Sequence, residues 1–129
     1  MPSIFSKIVS GEIPAFKVAE NEHFLAFLDV FPIAKGHTLV IPKIETDYIF
    51  NIEDEAYKSL WLFAKNVGKK VEKVMPCERI GIAVIGLEVP HTHIHLVPIN
   101  EISDLSFSKP KLKFTDDEMH AIANSIREA

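Results

Sequence analysis

The sequence predicts an α+β fold with about five strands in an antiparallel sheet, one long helix and one or two shorter helices. The apolar runs that predict strands cluster rather than alternate regularly with helices. A long central segment carries apolar residues at helical spacing. The 129 residues fit a single domain, residues 1–129. The 47% apolar and 25% charged content is that of an ordinary globular chain, so disorder over the whole length is not expected.

The first predicted element is a short helix, because four apolar residues near the start recur over about two helical turns before Gly11. Short apolar segments bounded by turn residues then predict five strands. These segments are residues 15–19, 23–30, 37–41, 80–85 and 89–99.

The long helix is predicted over residues 51–75, with Asn51 as its N-cap and Pro76 after its end. A single apolar stripe runs along it, made of Ala56, Leu60, Phe63, Ala64, Val67, Val71 and Val74. A second, C-terminal helix is predicted at about 115–127, because Thr115 and Glu118 form the pattern of a capping box.

Charge and hydropathy exclude two classes of partner. The formal net charge is −4, from 14 basic and 18 acidic residues, whereas a general nucleic-acid binder has a basic surplus. No apolar run approaches the ~18–20 residues of a membrane span, and the opening residues do not resemble a secretory signal. We therefore expect a cytoplasmic protein without nucleic-acid or membrane partners.

Three of the six histidines alternate with other residues in one short segment. On a strand, His91, His93 and His95 would project to one face, roughly 6–7 Å apart. Packing explains such a row poorly, because each buried imidazole needs a polar partner. Neutral imidazoles bind zinc, and they are also competent nucleophiles towards phosphorus near neutral pH. Residue chemistry favours catalysis and leaves the metal site open.

Residues 91–97 match the histidine triad motif, and three further stretches, 4–15, 25–29 and 36–43, match the same family in the same order. The chain therefore resembles the histidine triad (HIT) family of nucleotide hydrolases and transferases over residues 4–99. Its bacterial branch of nucleoside-phosphoramidate hydrolases is the most similar.

The resemblance implies a role for each of four histidines. His93 would attack the α-phosphorus and carry the nucleotidyl group. His95 would contact the phosphate and the departing group, and His91 would orient and polarise the site. His37, on a neighbouring strand, would support the nucleophile by hydrogen bonding.

The resemblance also implies a nucleotide pocket in which Asp29 binds the ribose hydroxyls. The apolar slot for the base would contain Ile4, Phe5, Ile8, Phe27 and Val30. Core packing is a strong alternative explanation for Ile8 and Val30. The rings of Phe5 and Phe27 are better suited to cover a purine face.

The chain departs from the family pattern in two places. Many bacterial relatives hold zinc with two cysteines and a histidine where this chain has Ser3, Ser6 and Glu45, so we expect no structural zinc and no other cofactor. Before the triad, the usual asparagine is absent and Leu87 replaces glutamine. Glu88 could contribute a new polar contact or repel phosphate.

We therefore expect a hydrolase that cleaves nucleoside phosphoramidates or related purine nucleotide conjugates through a nucleotidyl-His93 intermediate. Two alternatives stay open: a dinucleoside polyphosphate hydrolase or nucleotidyl transferase on the same fold, and a nucleotide-binding scaffold with little turnover. The resemblance also implies a two-fold homodimer.

Overall fold

The computed structural model describes residues 2–129 and confirms the predicted five-stranded antiparallel sheet with its helices. Two short 3-10 turns, Ile49–Asn51 and Ile102–Asp104, complete the regular structure. In chain order the elements are α1 (Ile4–Val9), β1 (Lys17–Glu20), β2 (Phe24–Leu28), β3 (Thr38–Pro42), α2 (Asp54–Val74), β4 (Arg79–Ala83), β5 (Ile94–Ile99) and α3 (Asp116–Arg127).

The sheet has the strand order β1-β2-β3-β5-β4, and every neighbouring pair is antiparallel. Strand β5 lies between β3 and β4, with His95 opposite Leu39 on one side and Ala83 on the other. This pairing places the last triad histidine beside the strand that follows His37.

Helices cover the two faces of the sheet unequally. The apolar stripe of α2 and the inner face of α3 pack on one face, where they bury Ile94 and Leu96. Helix α1 covers the other face and buries Phe5 and Ile8. Because side chains alternate along β5, His95 projects to the α1 side. No helix within residues 2–129 is long and apolar enough to cross a membrane.

Both longer helices form as predicted, but the predicted N-cap of the first is wrong. Helix α2 begins at Asp54, and the side chain of Glu53 accepts a hydrogen bond from the backbone N–H of Ala56. Asn51 instead closes the preceding 3-10 turn. Helix α3 has the predicted capping box at Thr115.

The prediction of one strand through all three triad histidines is wrong. Strand β5 begins at Ile94, so His91 and His93 lie in an irregular segment. The backbone N–H of His91 donates to the carbonyl of Val89 in a local turn, and that of Thr92 donates to the carbonyl of Thr46. These bonds replace the strand ladder.

Gly36, directly before His37, has a φ of +89° and leaves no room for a side chain. A Cβ there would lie 2.6 Å from Met75 Cγ, whereas a Cβ on Gly11, at φ +85°, would meet nothing within 4 Å. We expect Gly11→Ala to lower the free energy of unfolding by about 1–2 kcal/mol through backbone strain alone. Gly36→Ala should lower it by about a further 1–3 kcal/mol through overpacking. Urea denaturation measures both, and equal losses would contradict the close contact with Met75.

Candidate active site

A pocket of about 380 Å³ opens on the α1 side of the sheet. Two of the four predicted catalytic histidines, His93 and His95, line it, whereas His37 and His91 are buried beside it. All six side chains predicted to bind the nucleotide line the same pocket: Asp29, Phe5, Ile4, Ile8, Phe27 and Val30.

The ring of His93 is fixed by a backbone group. Its Nδ1 lies 2.7 Å from the carbonyl oxygen of His91. Because a carbonyl only accepts, Nδ1 carries the proton and donates this bond. The lone pair of the neutral ring is therefore on Nε2, which has no protein hydrogen-bond partner among residues 2–129. The neutral form of His93 therefore has its unprotonated ring nitrogen free of partners in the described part of the chain, and the side chain lines the pocket.

His95 is fixed in the opposite tautomer. The backbone N–H of Ile33 donates to His37 Nδ1 at 3.1 Å, so the proton of a neutral His37 is on Nε2. That Nε2 lies 3.0 Å from His95 Nδ1 and donates to it. His95 therefore carries its own proton on Nε2, where it can donate a hydrogen bond to a ligand. His37 therefore hydrogen-bonds to His95. The expectation that His37 hydrogen-bonds to His93 is wrong.

Burial keeps these two histidines uncharged. Desolvation, with a contribution from the positive charge of Lys111, lowers the pKa of His37 to about 4. Burial, together with the neighbouring His37 and His93, lowers the pKa of His95 to about 3. At neutral pH neither ring is charged, and the Nε2–H of His95 is the hydrogen-bond donor that the pair offers to the pocket.

His91 does not line the pocket, although it was expected to share a face with the other two. Its ring is fully buried, with Nε2 donating to the carbonyl of Pro42 at 2.8 Å and Nδ1 accepting from the Ser3 hydroxyl at 2.7 Å. Burial lowers the pKa of His91 and favours the neutral ring. His91 acts on the pocket through its backbone carbonyl, which holds the ring of His93.

The resemblance places the zinc ligands of bacterial relatives at three positions of this chain: Ser3, Ser6 and Glu45. Their side chains form a hydrogen-bonded cluster beside the ring of His91. Glu45 Oε1 accepts from the backbone N–H of Ser3 at 2.6 Å and from the Ser6 hydroxyl at 2.7 Å. The Ser3 N–H, followed by the Ser6 hydroxyl, holds the pKa of Glu45 below its ordinary value. Two hydroxyls, a carboxylate and one imidazole are a poor donor set for zinc.

Asp29 reaches both the pocket and His37. Its Oδ1 accepts from the backbone N–H of Phe31 at 2.8 Å, and its Oδ2 lies 3.5 Å from His37 Nε2. Ligand atoms of Asp29, His37 and His95 lie within 4.8 Å of one another, a set that can hold a divalent ion. The bond from Ile33 N–H to His37 Nδ1 opposes this use, because metal binding at Nε2 would leave the ring with no proton.

The apolar side of the pocket is built mainly from core residues. Phe5 and Phe27 are buried, with their rings edge to face at 5.5 Å, and Phe5 packs against the ring of His93 at 5.0 Å. Ile4 and Val30 are 50% and 57% exposed, so a ligand could contact them freely. Core packing, the strong alternative for Val30, is therefore wrong for that residue.

Sequence reasoning missed two residues of the C-terminal segment. Phe107 packs on the ring of His95 at 4.5 Å between centroids and on that of His37 at 6.1 Å, and Lys111 lines the pocket. Neither lies in a stretch that resembles the family, so no pattern pointed to them. Glu88, whose role the sequence left undecided, also lines the pocket.

Comparison with known proteins finds relatives over most of the chain. A sequence model of the HIT domain family matches residues 10–102. The adenosine 5'-monophosphoramidase hnt1 of Schizosaccharomyces pombe is 35% identical over 129 residues, 98% of this chain and 96% of that protein. A HIT-like protein from Bartonella henselae superimposes with a TM-score of 0.85 at 27% identity, covering 98% and 94% of the two chains. A zinc-bound histidine triad protein from Mycobacterium smegmatis superimposes with a TM-score of 0.82 at 28% identity, covering 97% and 90%.

The low pKa values of His37 and His95 predict acid-sensitive stability. Unfolded histidines take up protons below pH ~6.5, whereas His37 and His95 in the folded chain do so only near pH 4 and 3. The unfolded state then binds more protons, so the free energy of unfolding falls as pH drops from 6.5 towards 4. Each histidine contributes a slope of about 1.4 kcal/mol per pH unit.

His95→Asn should make the free energy of unfolding depend less steeply on pH, by the slope of one histidine. The amide oxygen of asparagine still accepts from His37 but does not titrate. Urea denaturation of both proteins between pH 7 and 4.5 measures the two slopes. Identical slopes would contradict a neutral His95 in the folded state.

Proposed function

Because the chain belongs to the HIT domain family, we propose that it is a nucleotide hydrolase that cleaves nucleoside phosphoramidates or related purine nucleotide conjugates through a nucleotidyl-His93 intermediate. The observation that supports this most directly is the fixed tautomer of His93. Its Nδ1–H is held by the carbonyl of His91, and its Nε2 faces the pocket with a lone pair. A neutral imidazole held in this way is a competent nucleophile near neutral pH.

In the proposed first step, His93 Nε2 attacks the α-phosphorus as the bond from phosphorus to the leaving nitrogen breaks. The nitrogen keeps the bonding electron pair, takes one proton from solvent and departs as an amine. Phosphorylated at Nε2 and protonated at Nδ1, the ring of His93 becomes cationic. The hydrogen bond from Nδ1 to the His91 carbonyl then strengthens, which stabilises the intermediate.

In the second step, water attacks the phosphorus and the bond to Nε2 breaks. His93 recovers its lone pair, the nucleoside monophosphate leaves, and one proton returns to solvent. His95 assists both steps with its Nε2–H, which donates a hydrogen bond to the phosphoryl oxygens or the leaving group. His37 positions His95, and His91 positions His93 through its carbonyl.

The remaining residues hold the nucleotide. We propose that Asp29 accepts hydrogen bonds from the ribose hydroxyls through Oδ2, since Oδ1 is already bonded to a backbone N–H. The base would lie against Ile4, Phe5 and Val30 at the rim, with Ile8 and Phe27 behind them. The phosphoramidase activity of the S. pombe relative supports the choice of adenosine phosphoramidate as the first substrate to test.

The test is to mix the protein with adenosine phosphoramidate in excess EDTA, quench without acid and measure the intact mass. We expect a nucleotidyl adduct that maps to His93. His93→Ala should form none and should lose at least about 10⁴-fold in kcat. The exposed His23 lies outside the pocket, so His23→Ala should match the wild type.

Other outcomes separate the alternatives. Faster turnover of diadenosine tetraphosphate or of a sugar nucleotide would favour the polyphosphate hydrolase or transferase. Equal nucleotide binding by wild type and His93→Ala, with no turnover by either, would favour the scaffold and overturn the enzyme. Activity that EDTA abolishes would favour a metalloenzyme.

We also propose that two copies of the chain form a two-fold dimer along β4. This strand is an edge of the sheet, and its Ile82 side chain is 50% exposed in a groove between β4 and α2. Lysine and glutamate side chains line the same groove, a mixture of charges that suits a self-complementary contact.

Sedimentation should give twice the 14.5 kDa of one chain. Ile82→Asp should convert the dimer to a monomer, because it would bury a carboxylate at the contact. Ile44→Asp is the control, since Ile44 is 79% exposed and lies outside the groove. A wild-type monomer at micromolar concentration would contradict the dimer.

A further inference from the structure

The pocket has an unusual charge balance for a site that takes a nucleotide. Asp29 and Glu88 both line it, and both carry carboxylates. His37 and His95 do not offset these charges, because burial keeps both rings neutral. A nucleotide adds at least one further negative charge at its α-phosphate. Binding therefore calls for a positive group from elsewhere in the chain.

Among residues 2–129, Lys111 is the one lysine or arginine whose side chain lines this pocket. Its charge is close enough to both His37 and His95 to lower their pKa values. Its Nζ donates to the carbonyl of Phe107 at 2.8 Å, and no carboxylate oxygen of the described chain lies within 4.0 Å of it. The ammonium is thus tethered by a neutral acceptor, and its charge stays available to a ligand.

The segment that carries Lys111 is held across the site at both ends. Phe107 packs on the rings of His95 and His37. The backbone N–H of Leu112 donates to the carbonyl of Pro32 at 2.9 Å, in the loop between β2 and β3. Lys111 lies between these two anchors. The whole segment follows residue 102, where the match to the HIT domain ends.

We propose that Lys111 binds the phosphoryl oxygens of the nucleotide and makes the site selective for a charged phosphate over the bare nucleoside. This role rests on the proposed function, because it assumes a nucleotide in the pocket. Hydrogen bonds from an ammonium to phosphate oxygens are charge-assisted and strong. They also strengthen as negative charge develops on those oxygens during phosphoryl transfer.

The segment before the triad is consistent with this role. There the side chain of Leu87 is 88% exposed and apolar, and Glu88 brings a negative charge to the pocket. An apolar side chain and a carboxylate cannot donate a hydrogen bond to phosphate. Beyond the Nε2–H of His95, phosphate binding would therefore depend on the C-terminal segment.

The experiment is a thermodynamic cycle that compares AMP with adenosine on the wild type and on Lys111→Met, by isothermal titration calorimetry. We expect AMP to bind the variant about 10–100-fold more weakly, and adenosine to bind both proteins equally. Lys111→Arg should keep most of the AMP affinity, because guanidinium also binds phosphate. The difference between AMP and adenosine in the wild type should shrink with added salt.

Lys113→Met is the matched control, because Lys113 is exposed in the same segment and does not line the pocket. It should bind AMP as the wild type does. Equal losses of AMP and adenosine in Lys111→Met would indicate a displaced segment, and an unchanged AMP affinity would show that the ammonium is not used. Either result, or a wild type that binds AMP no better than adenosine, would overturn the role of Lys111.

These outcomes are separable from those of the proposed function. A wild type that binds AMP through Lys111 but forms no adduct at His93 would overturn the hydrolase and keep the phosphate site. A wild type that forms the adduct, together with a Lys111→Met variant of normal AMP affinity, would keep the hydrolase and overturn the phosphate site.

Discussion

The hydrogen bond from His93 Nδ1 to the carbonyl of His91 is the constraint on which the site depends. It decides which ring nitrogen of His93 carries the proton, and so decides that the other nitrogen faces the pocket as an acceptor. The carbonyl must itself be held still. The His91 side chain does this, because its two ring nitrogens bond to Pro42 and Ser3 on opposite sides. A fully buried imidazole thereby orients a neighbour through its own backbone.

A second chain of bonds imposes the opposite tautomer on His95. It starts at the backbone N–H of Ile33, passes through His37 and ends at His95 Nδ1. The ring centroids of His93 and His95 are 4.9 Å apart. His93 thus presents a lone pair, and His95 an N–H, to the same pocket. Backbone groups set this division, so it requires no charged histidine. That agrees with the low pKa values that burial gives His37 and His95.

Periodicity was sufficient for the strands and the long helix, because it depends on residues close together in sequence. The family motifs pointed to the six predicted nucleotide-binding residues that line the pocket, but periodicity and motif did not predict every detail. They failed where distant groups compete for the same backbone. The row of alternating histidines suggested a strand, but Thr46 and Val89 accept the N–H groups that a strand would have used.

Neither the hydrogen-bond partner of His37 nor the position of Phe107 could be predicted from the sequence. Both depend on contacts across the fold rather than on local pattern. His37 meets a histidine 58 positions away, and Phe107 reaches the site from beyond the part of the chain that resembles the family. No periodicity or spacing within either segment carries that information.

The cluster of Ser3, Ser6 and Glu45 contributes only hydrogen bonds to holding helix α1 against the site. Where zinc ligands occupy such positions, coordination contributes on the order of 10 kcal/mol, whereas a net hydrogen bond contributes about 0.5–1.5 kcal/mol. Helix α1 has only 6 residues and is too short to be stable alone. Its position must therefore depend largely on burying Phe5 and Ile8 against the sheet.

Since Phe5 also packs against the ring of His93, the residue that anchors α1 also covers one side of that ring. Loosening the helix would free that ring. In this chain the packing of a six-residue helix and the position of the His93 ring are therefore coupled.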